Sequence, residues 1–290
     1  MFKNPNPYIN AAWQGNNKLG IYVAVFLLVI IANVLGSIPG GWALIEWKSS
    51  SDSLPVYAVL AMMLLGFVTA IIALWLSVQH IHKRNPLTMI RPTAAVDWGR
   101  VAKSGGLWIA CTAVVEIVTY LSFPEKYTLS LKWAEFLPCV VVGLLLIPLQ
   151  TSFEELFFRG YLMQGIGSWN LWVGVAVTSI LFGLAHSFND EIEAVGSLGI
   201  AMIYYIGVGL FLALLTLNDE SLELPLGIHA TNNLYAFLIV GYPSSSAPSS
   251  TIWMLTEFNF PLMMIQWVGA VGLYLLLAPR FLGIKLKFTN

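Results

Sequence analysis

Eight stretches of this chain read as apolar runs of membrane-spanning length, and that property dictates most of what it can fold into. A spanning helix needs about 20 mostly apolar residues, and runs of that kind fall at 19–44, 56–80, 104–123, 135–163, 170–187, 196–217, 225–241 and 261–279. Inside hydrocarbon every backbone N–H and C=O must find a partner within the protein, so such runs become helices. The expected fold class is therefore all-α, a polytopic membrane bundle of about eight transmembrane helices. Composition agrees, because the chain is 58% hydrophobic and only 10% charged, whereas soluble domains carry about 25% charged residues. The net charge of −1 leaves no electrostatic footprint for nucleic acid. Cys111 and Cys139 both lie in apolar stretches and offer neither a disulfide framework nor a metal-type spacing.

Residues 1–290 read as a single integral membrane domain, without a repeat of fixed period or a linker. Met1 to Lys18 is polar and lacks the apolar core of a signal peptide, so the first apolar run is expected to be a retained anchor. The connection from Tyr242 to Phe260 is rich in Pro and Ser in its first half and is expected to be mobile. Trp42, Trp47, Trp169, Trp172 and Trp253 fall near segment ends, as interfacial anchors do. Lys83, Arg84, Arg91, Arg100 and Lys103 crowd the connection between the second and third segments. With eight spans, Lys3, Lys18, Arg280, Lys285 and Lys287 share that side, and only Lys48, Lys126 and Lys132 lie opposite. Basic connections stay cytoplasmic, so a cell-membrane protein with both termini in the cytoplasm is expected.

Ionisable residues inside spans are costly and are functional candidates by default. The fourth segment contains Glu154-Glu155-Leu156-Phe157-Phe158-Arg159, the fifth ends Phe182-Gly183-Leu184-Ala185-His186, and the seventh contains His229-Ala230-Thr231-Asn232-Asn233. Glu155 and Arg159 are four apart and share a helical face, where they can pair. Glu154 points about 100° away and keeps a free carboxylate, the better one to accept a proton. His229 and Asn233 share another face and form a donor surface suited to an oxyanion. Each pattern alone also fits a bland structural role: a helix-end charge cluster, a satisfied histidine, an interhelical hydrogen bond. Together they supply a base, an imidazole and oxyanion donors, the parts needed to hydrolyse an amide.

At these residues the chain resembles the CAAX prenyl protease and bacteriocin-processing family (the Abi family) of intramembrane glutamic endopeptidases. Its motifs are Glu-Glu-x-x-x-Arg, Phe-x-x-x-His and His-x-x-x-Asn or Asp, and residues 135–241 carry all three in order. The resemblance implies that Glu154 and His186 activate a water and that His229 and Asn233 stabilise the tetrahedral oxyanion. It implies that Glu155, Arg159 and Phe182 support the site, without a cofactor or metal. The implied partner is a peptide or protein, including membrane-associated or lipidated ones, met in the lipid bilayer. The terminal Lys287-Phe288-Thr289-Asn290 is not itself a Cys-a-a-X substrate.

Two other readings stay open on the residues. Glu154, His186 and His229 could bind Zn²⁺ as a His₂Glu set, although no His-Glu-x-x-His is present. A non-catalytic membrane scaffold or immunity protein would keep the same fold. Depth poses a difficulty for the hydrolytic reading. At 1.5 Å per residue, straight helices put Glu154 about 14 Å, His186 about 24 Å and His229 about 6 Å from the cytoplasmic ends of their segments. Convergence then requires tilt or shifted boundaries, and the catalytic water is expected to enter from the cytoplasmic side.

Overall fold

In the computed structural model, which describes residues 6–49 and 54–285, all eight apolar runs are helical. They form α1 (Leu19–Ser49), α2 (Val56–His80), α3 (Trp98–Ser122) and α4, which runs Trp133–Glu155 and continues through a π-helical turn, Leu156–Leu162, into Met163–Gly167. Then follow α5 (Leu171–Ala185), α6 (Leu198–Asp219), α7 (Glu223–Leu238) and α8 (Phe260–Leu282). Six of them are long and apolar enough to cross a membrane. The exceptions are α5, with 15 residues, and α7, with 16. Each covers only about 22–24 Å, short of the roughly 30 Å hydrocarbon core. The all-α integral membrane bundle stands, with six helices of spanning length and two shorter ones among the described residues. Large apolar side chains face outward along it, such as Leu35 (61% exposed), Leu145 (64%) and Leu276 (74%). That surface suits lipid and not water.

Small residues set the closest helix contacts. A Cβ on Gly227 of α7 would lie 2.2 Å from the Val101 carbonyl oxygen of α3, and one on Gly105 would meet Thr231 Cγ2 at 2.8 Å. Only glycine lets these two backbones approach so closely. The contact fixes α7, and with it His229, against α3. Gly40 plays the same part between α1 and α2, where a Cβ would sit 2.5 Å from the Met63 Cα.

Contacts sort the connections into two ends. At one end the Asn16 N–H donates to the His82 carbonyl (2.7 Å), and the Arg84 guanidinium reaches the Ala11 carbonyl (2.9 Å). There the fully buried Glu223 accepts from Arg91 (2.9 Å), Arg100 (3.2 Å) and the Asp97 N–H (2.8 Å). This is the basic end; Lys3 and Lys287 lie outside the described residues. His82 is buried there beside Tyr161. At the other end β1 (Tyr127–Leu129) pairs antiparallel with β3 (Trp253–Leu255), which pairs parallel with β2 (Val240–Gly241). The Tyr242–Phe260 connection, expected to be mobile, is thereby hydrogen-bonded into a small sheet. Its Pro/Ser half is tied down as well: Glu191 accepts from the Tyr242 hydroxyl (2.9 Å), the Ser246 N–H (3.2 Å) and the Ser246 hydroxyl. The Pro/Ser composition signals turns but not the buried carboxylate that holds them.

Candidate active site

The π-helical turn begins directly after Glu155, and such turns interrupt helices preferentially where function needs an altered geometry. Glu155 and Arg159, both fully buried, form the expected pair at 2.9 Å. The Arg159 guanidinium also donates to the Gly209 carbonyl of α6 (3.3 Å) and lies 4.3 Å from the centroid of the Phe182 ring. Three helices thus hold one cation. The same Glu155 Oε1 lies 2.7 Å from His229 Nδ1. A carboxylate can only accept, so Nδ1 carries a proton and the ring is oriented with Nε2 turned to Glu154.

Glu154 is 6% exposed and has two unlike oxygens. Its Oε1 accepts from Gln150 Nε2 at 2.5 Å. Its Oε2 lies 3.4 Å from His229 Nε2, without hydrogen-bond geometry, and has no hydrogen-bond partner. Gln150 turns its carbonyl oxygen to Asn233, whose Nδ2 donates to it at 3.2 Å. Asn233 retains a second N–H on the same nitrogen. Glu154, Gln150, Asn233, His229, Glu155 and Arg159 therefore form one continuous polar network across α4 and α7.

His186 caps the C-terminus of α5. Its Nδ1 donates to the Phe182 carbonyl (2.7 Å), and its ring stacks on Tyr205 at 4.6 Å. A carbonyl only accepts, so the Nε2 of neutral His186 keeps its lone pair. The Phe182 ring lies 4.7 Å from the His186 ring and 5.9 Å from that of His229. Among the described residues His186 has no hydrogen bond to Glu154, His229 or Asn233. All four line one cavity of about 590 Å³.

The depth difficulty is resolved for His229 at α7. Leu222, Glu223 and Leu224 are fully buried, with the Leu222 N–H bonded to the Ile90 carbonyl (2.8 Å). The helix thus starts inside the protein under the 81–97 connection, and six residues along it His229 is already level with Glu154. The expected entry from the basic end is not met. The cavity walls run to Lys126, Glu191, Ser245, Glu257 and Phe258 at the opposite end, and no residue of 68–107 or 213–227 lines it. At that mouth, burial and the Glu191 carboxylate push the Tyr242 phenol well above its ordinary range, so it stays a donor.

Two lining residues escaped the motif reading. Gln150 sits one turn before Glu154, and Glu116 sits six residues before the end of α3, accepting from the Tyr127 hydroxyl and from Gln266 (3.3 Å). Glu116 is the sole charged residue of the run 104–123, a signal that alone marks a functional candidate. Gln150 gave no such signal, being uncharged and outside any motif. For a metal, the geometry is unfavourable among the described residues, where no group of three or more His, Cys, Asp or Glu side chains is arranged to hold an ion.

Comparison with known proteins agrees with the resemblance. Residues 133–235 match the family described as type II CAAX prenyl endopeptidase, Rce1-like. That stretch contains Glu154, Glu155, Arg159, Phe182, His186, His229 and Asn233. The chain is also 29% identical over 240 residues to a Bacillus subtilis (strain 168) protein, the uncharacterized protein YyaK, covering 78% of this chain and 80% of the relative. No solved structure matches. The resemblance to the CAAX prenyl protease and bacteriocin-processing family is borne out, and the chain is a CAAX-protease-like membrane protein.

Proposed function

We propose, taking that likeness as the premise, that this chain is an intramembrane endopeptidase that hydrolyses a peptide bond with a carboxylate-activated water. The observation that carries the reading is Glu154, whose buried Oε2 has no hydrogen-bond partner and lies 3.4 Å from His229 Nε2, in the wall of a cavity shared with His186, His229 and Asn233. In this reading a water sits between Glu154 Oε2 and His186 Nε2. Glu154 takes its proton as the water oxygen attacks the scissile carbonyl carbon. The oxyanion is held by His229 Nε2, when protonated, and by the free N–H of Asn233. Collapse breaks the C–N bond, and Glu154 returns the proton to the leaving amine nitrogen. Glu155 and Arg159 position the His229 ring and do not touch the substrate. No step needs a metal or cofactor.

The test uses purified protein in detergent, a random decapeptide mixture and mass spectrometry of the products. Glu154→Gln keeps the side-chain shape and removes the base, so cleavage should fall by about 10²–10⁴-fold, the usual worth of a general acid–base group. Activity should survive a strong chelator. Cleavage that chelation abolishes and Zn²⁺ restores would instead establish the zinc-dependent reading, and cleavage unaffected by Glu154→Gln would refute the carboxylate mechanism. A chain with no cleavage under any condition would be the scaffold or immunity protein.

A further inference from the structure

The cavity has a floor and a mouth, and charge tells the two sides of the membrane apart. Its floor is Glu154 with His229 and Asn233. Below that floor the bundle is closed by the buried Glu155–Arg159 pair, the Gly105–Gly227 contact and the Glu223 cluster with Arg91 and Arg100. The walls rise the other way to Lys126, Glu191 and Glu257. The closed end carries Lys83, Arg84 and Arg91 in one connection and Arg100 and Lys103 in the first two turns of α3, joined by Lys18 and Lys285, whereas the open end has only Lys48, Lys126 and Lys132. A bias of that size in short connections marks the cytoplasmic side.

We infer that the cavity opens on the extracytoplasmic side of the membrane and takes its substrate from there: a polypeptide segment that has been exported or that emerges from the outer leaflet. The substrate half of this statement rests on the peptidase reading; the sidedness does not. The mouth suits such a segment. It is polar at its rim, with Glu191, Ser245 and Glu257, and apolar deeper in, where Leu60, Leu64 and Phe67 of α2 line one wall. A chain can therefore enter from water and lay apolar side chains against α2 while its backbone reaches Glu154.

Single cysteines test the sidedness without any assay of activity. Cys111 and Cys139 are 1% exposed each, so the parent protein is a quiet background for a membrane-impermeant maleimide. Thr256→Cys places a thiol on the exposed rim, Ala247→Cys places one on the cavity wall, and Thr93→Cys places one at the closed end. On intact cells the reagent should label the first two and leave Thr93→Cys unlabelled until the membrane is permeabilised. Labelling of Thr93→Cys alone, or of both ends, overturns the inference. The substrate half is tested by offering the decapeptide mixture to right-side-out and inverted membrane vesicles. Cleavage should occur with right-side-out vesicles and be lost in Glu154→Gln; cleavage confined to inverted vesicles overturns it. If neither orientation cleaves while the labelling holds, the peptidase reading is refuted and the sidedness stands.

Discussion

Glu154 and Glu155 are neighbours of identical chemistry, yet their surroundings assign them opposite phenotypes. Glu155→Gln is the informative change. The amide oxygen can still accept from Arg159 and His229, so the substitution removes charge and little else. It leaves the Arg159 guanidinium, fully buried, without its paired anion, held only by neutral groups: the amide oxygen, the Gly209 carbonyl and the Phe182 ring. Breaking a buried pair from one side costs about 3–5 kcal/mol, and the retained acceptor argues for the lower figure. At about 2–4 °C per kcal/mol for a domain near this size, apparent Tm in detergent should fall by roughly 6–12 °C.

Glu154→Gln should behave otherwise. Glu154 touches no cation other than a protonated His229, and a glutamine at 154 can still accept from Gln150, so its Tm should stay near that of the parent while hydrolysis collapses. The double change Glu155→Gln with Arg159→Met removes the stranded cation and should recover part of the lost stability, because an apolar replacement for a buried pair is often neutral. It should not recover activity, since His229 loses the carboxylate that orients it. Scanning fluorimetry and peptide turnover on the three variants decide the matter. Early melting of Glu154→Gln beside a stable but inactive Glu155→Gln would mean that the two roles are reversed.

Gly227→Ala should lower Tm by an amount equivalent to about 1–3 kcal/mol, the usual cost of overpacking, since its Cβ meets the Val101 backbone; Gly106→Ala, with nothing within 4 Å, should be neutral or slightly stabilising, and equal melting of the two would refute the close-contact argument. Gln150→Leu disconnects Glu154 from Asn233 and should reduce kcat by about 10²-fold through misplacement, whereas an unchanged kcat would make the bridge incidental. Burial holds the His82 imidazole below its ordinary range of about 6.5, so its neutral form is favoured in the fold. That contribution is present above pH 6.5 and is lost as the pH falls through the folded value. Apparent Tm should therefore drop as the pH falls below about 6.5, and His82→Gln should flatten the drop; a Tm that is constant or rises on acidification counts against it.

Helix positions were legible because lipid imposes a length and an apolar composition on every span, and the runs beginning at Leu19 and Val56 could hardly be anything else. The division between Glu154 and Glu155 was legible for a similar reason: the four-residue spacing to Arg159 is a geometric fact of any helix, and the π-helical turn after Glu155 leaves that contact intact. What the sequence could not reveal depends on partners far along the chain. The run at 225–241 is visibly short in the sequence, but nothing in it shows that Glu223 is sunk beneath Arg91 and Arg100, and that burial is what brings His229 level with Glu154. The Pro/Ser connection looked loose because its anchor, Glu191, lies 51 residues from Tyr242.

The direction in which the cavity opens follows from which stretches line it. No residue of 68–107 or 213–227, the stretches that build the basic end, reaches the cavity, whereas Lys126, Glu191, Ser245, Glu257 and Phe258 of the other end do. Toward that end α6, α7 and α8 line the cavity with rings, Tyr204 and Tyr205, Tyr235 and Trp267, and Tyr204 packs edge-on against Trp267 at 5.7 Å. Close glycine contacts do not distinguish the two ends, since Gly105 meets Gly227 near the basic end and Gly40 meets Met63 in the other half. The cavity lining and the charge bias are separate features, and because they point to opposite faces of the membrane, reversing the proposed sidedness would require the charge rule to fail.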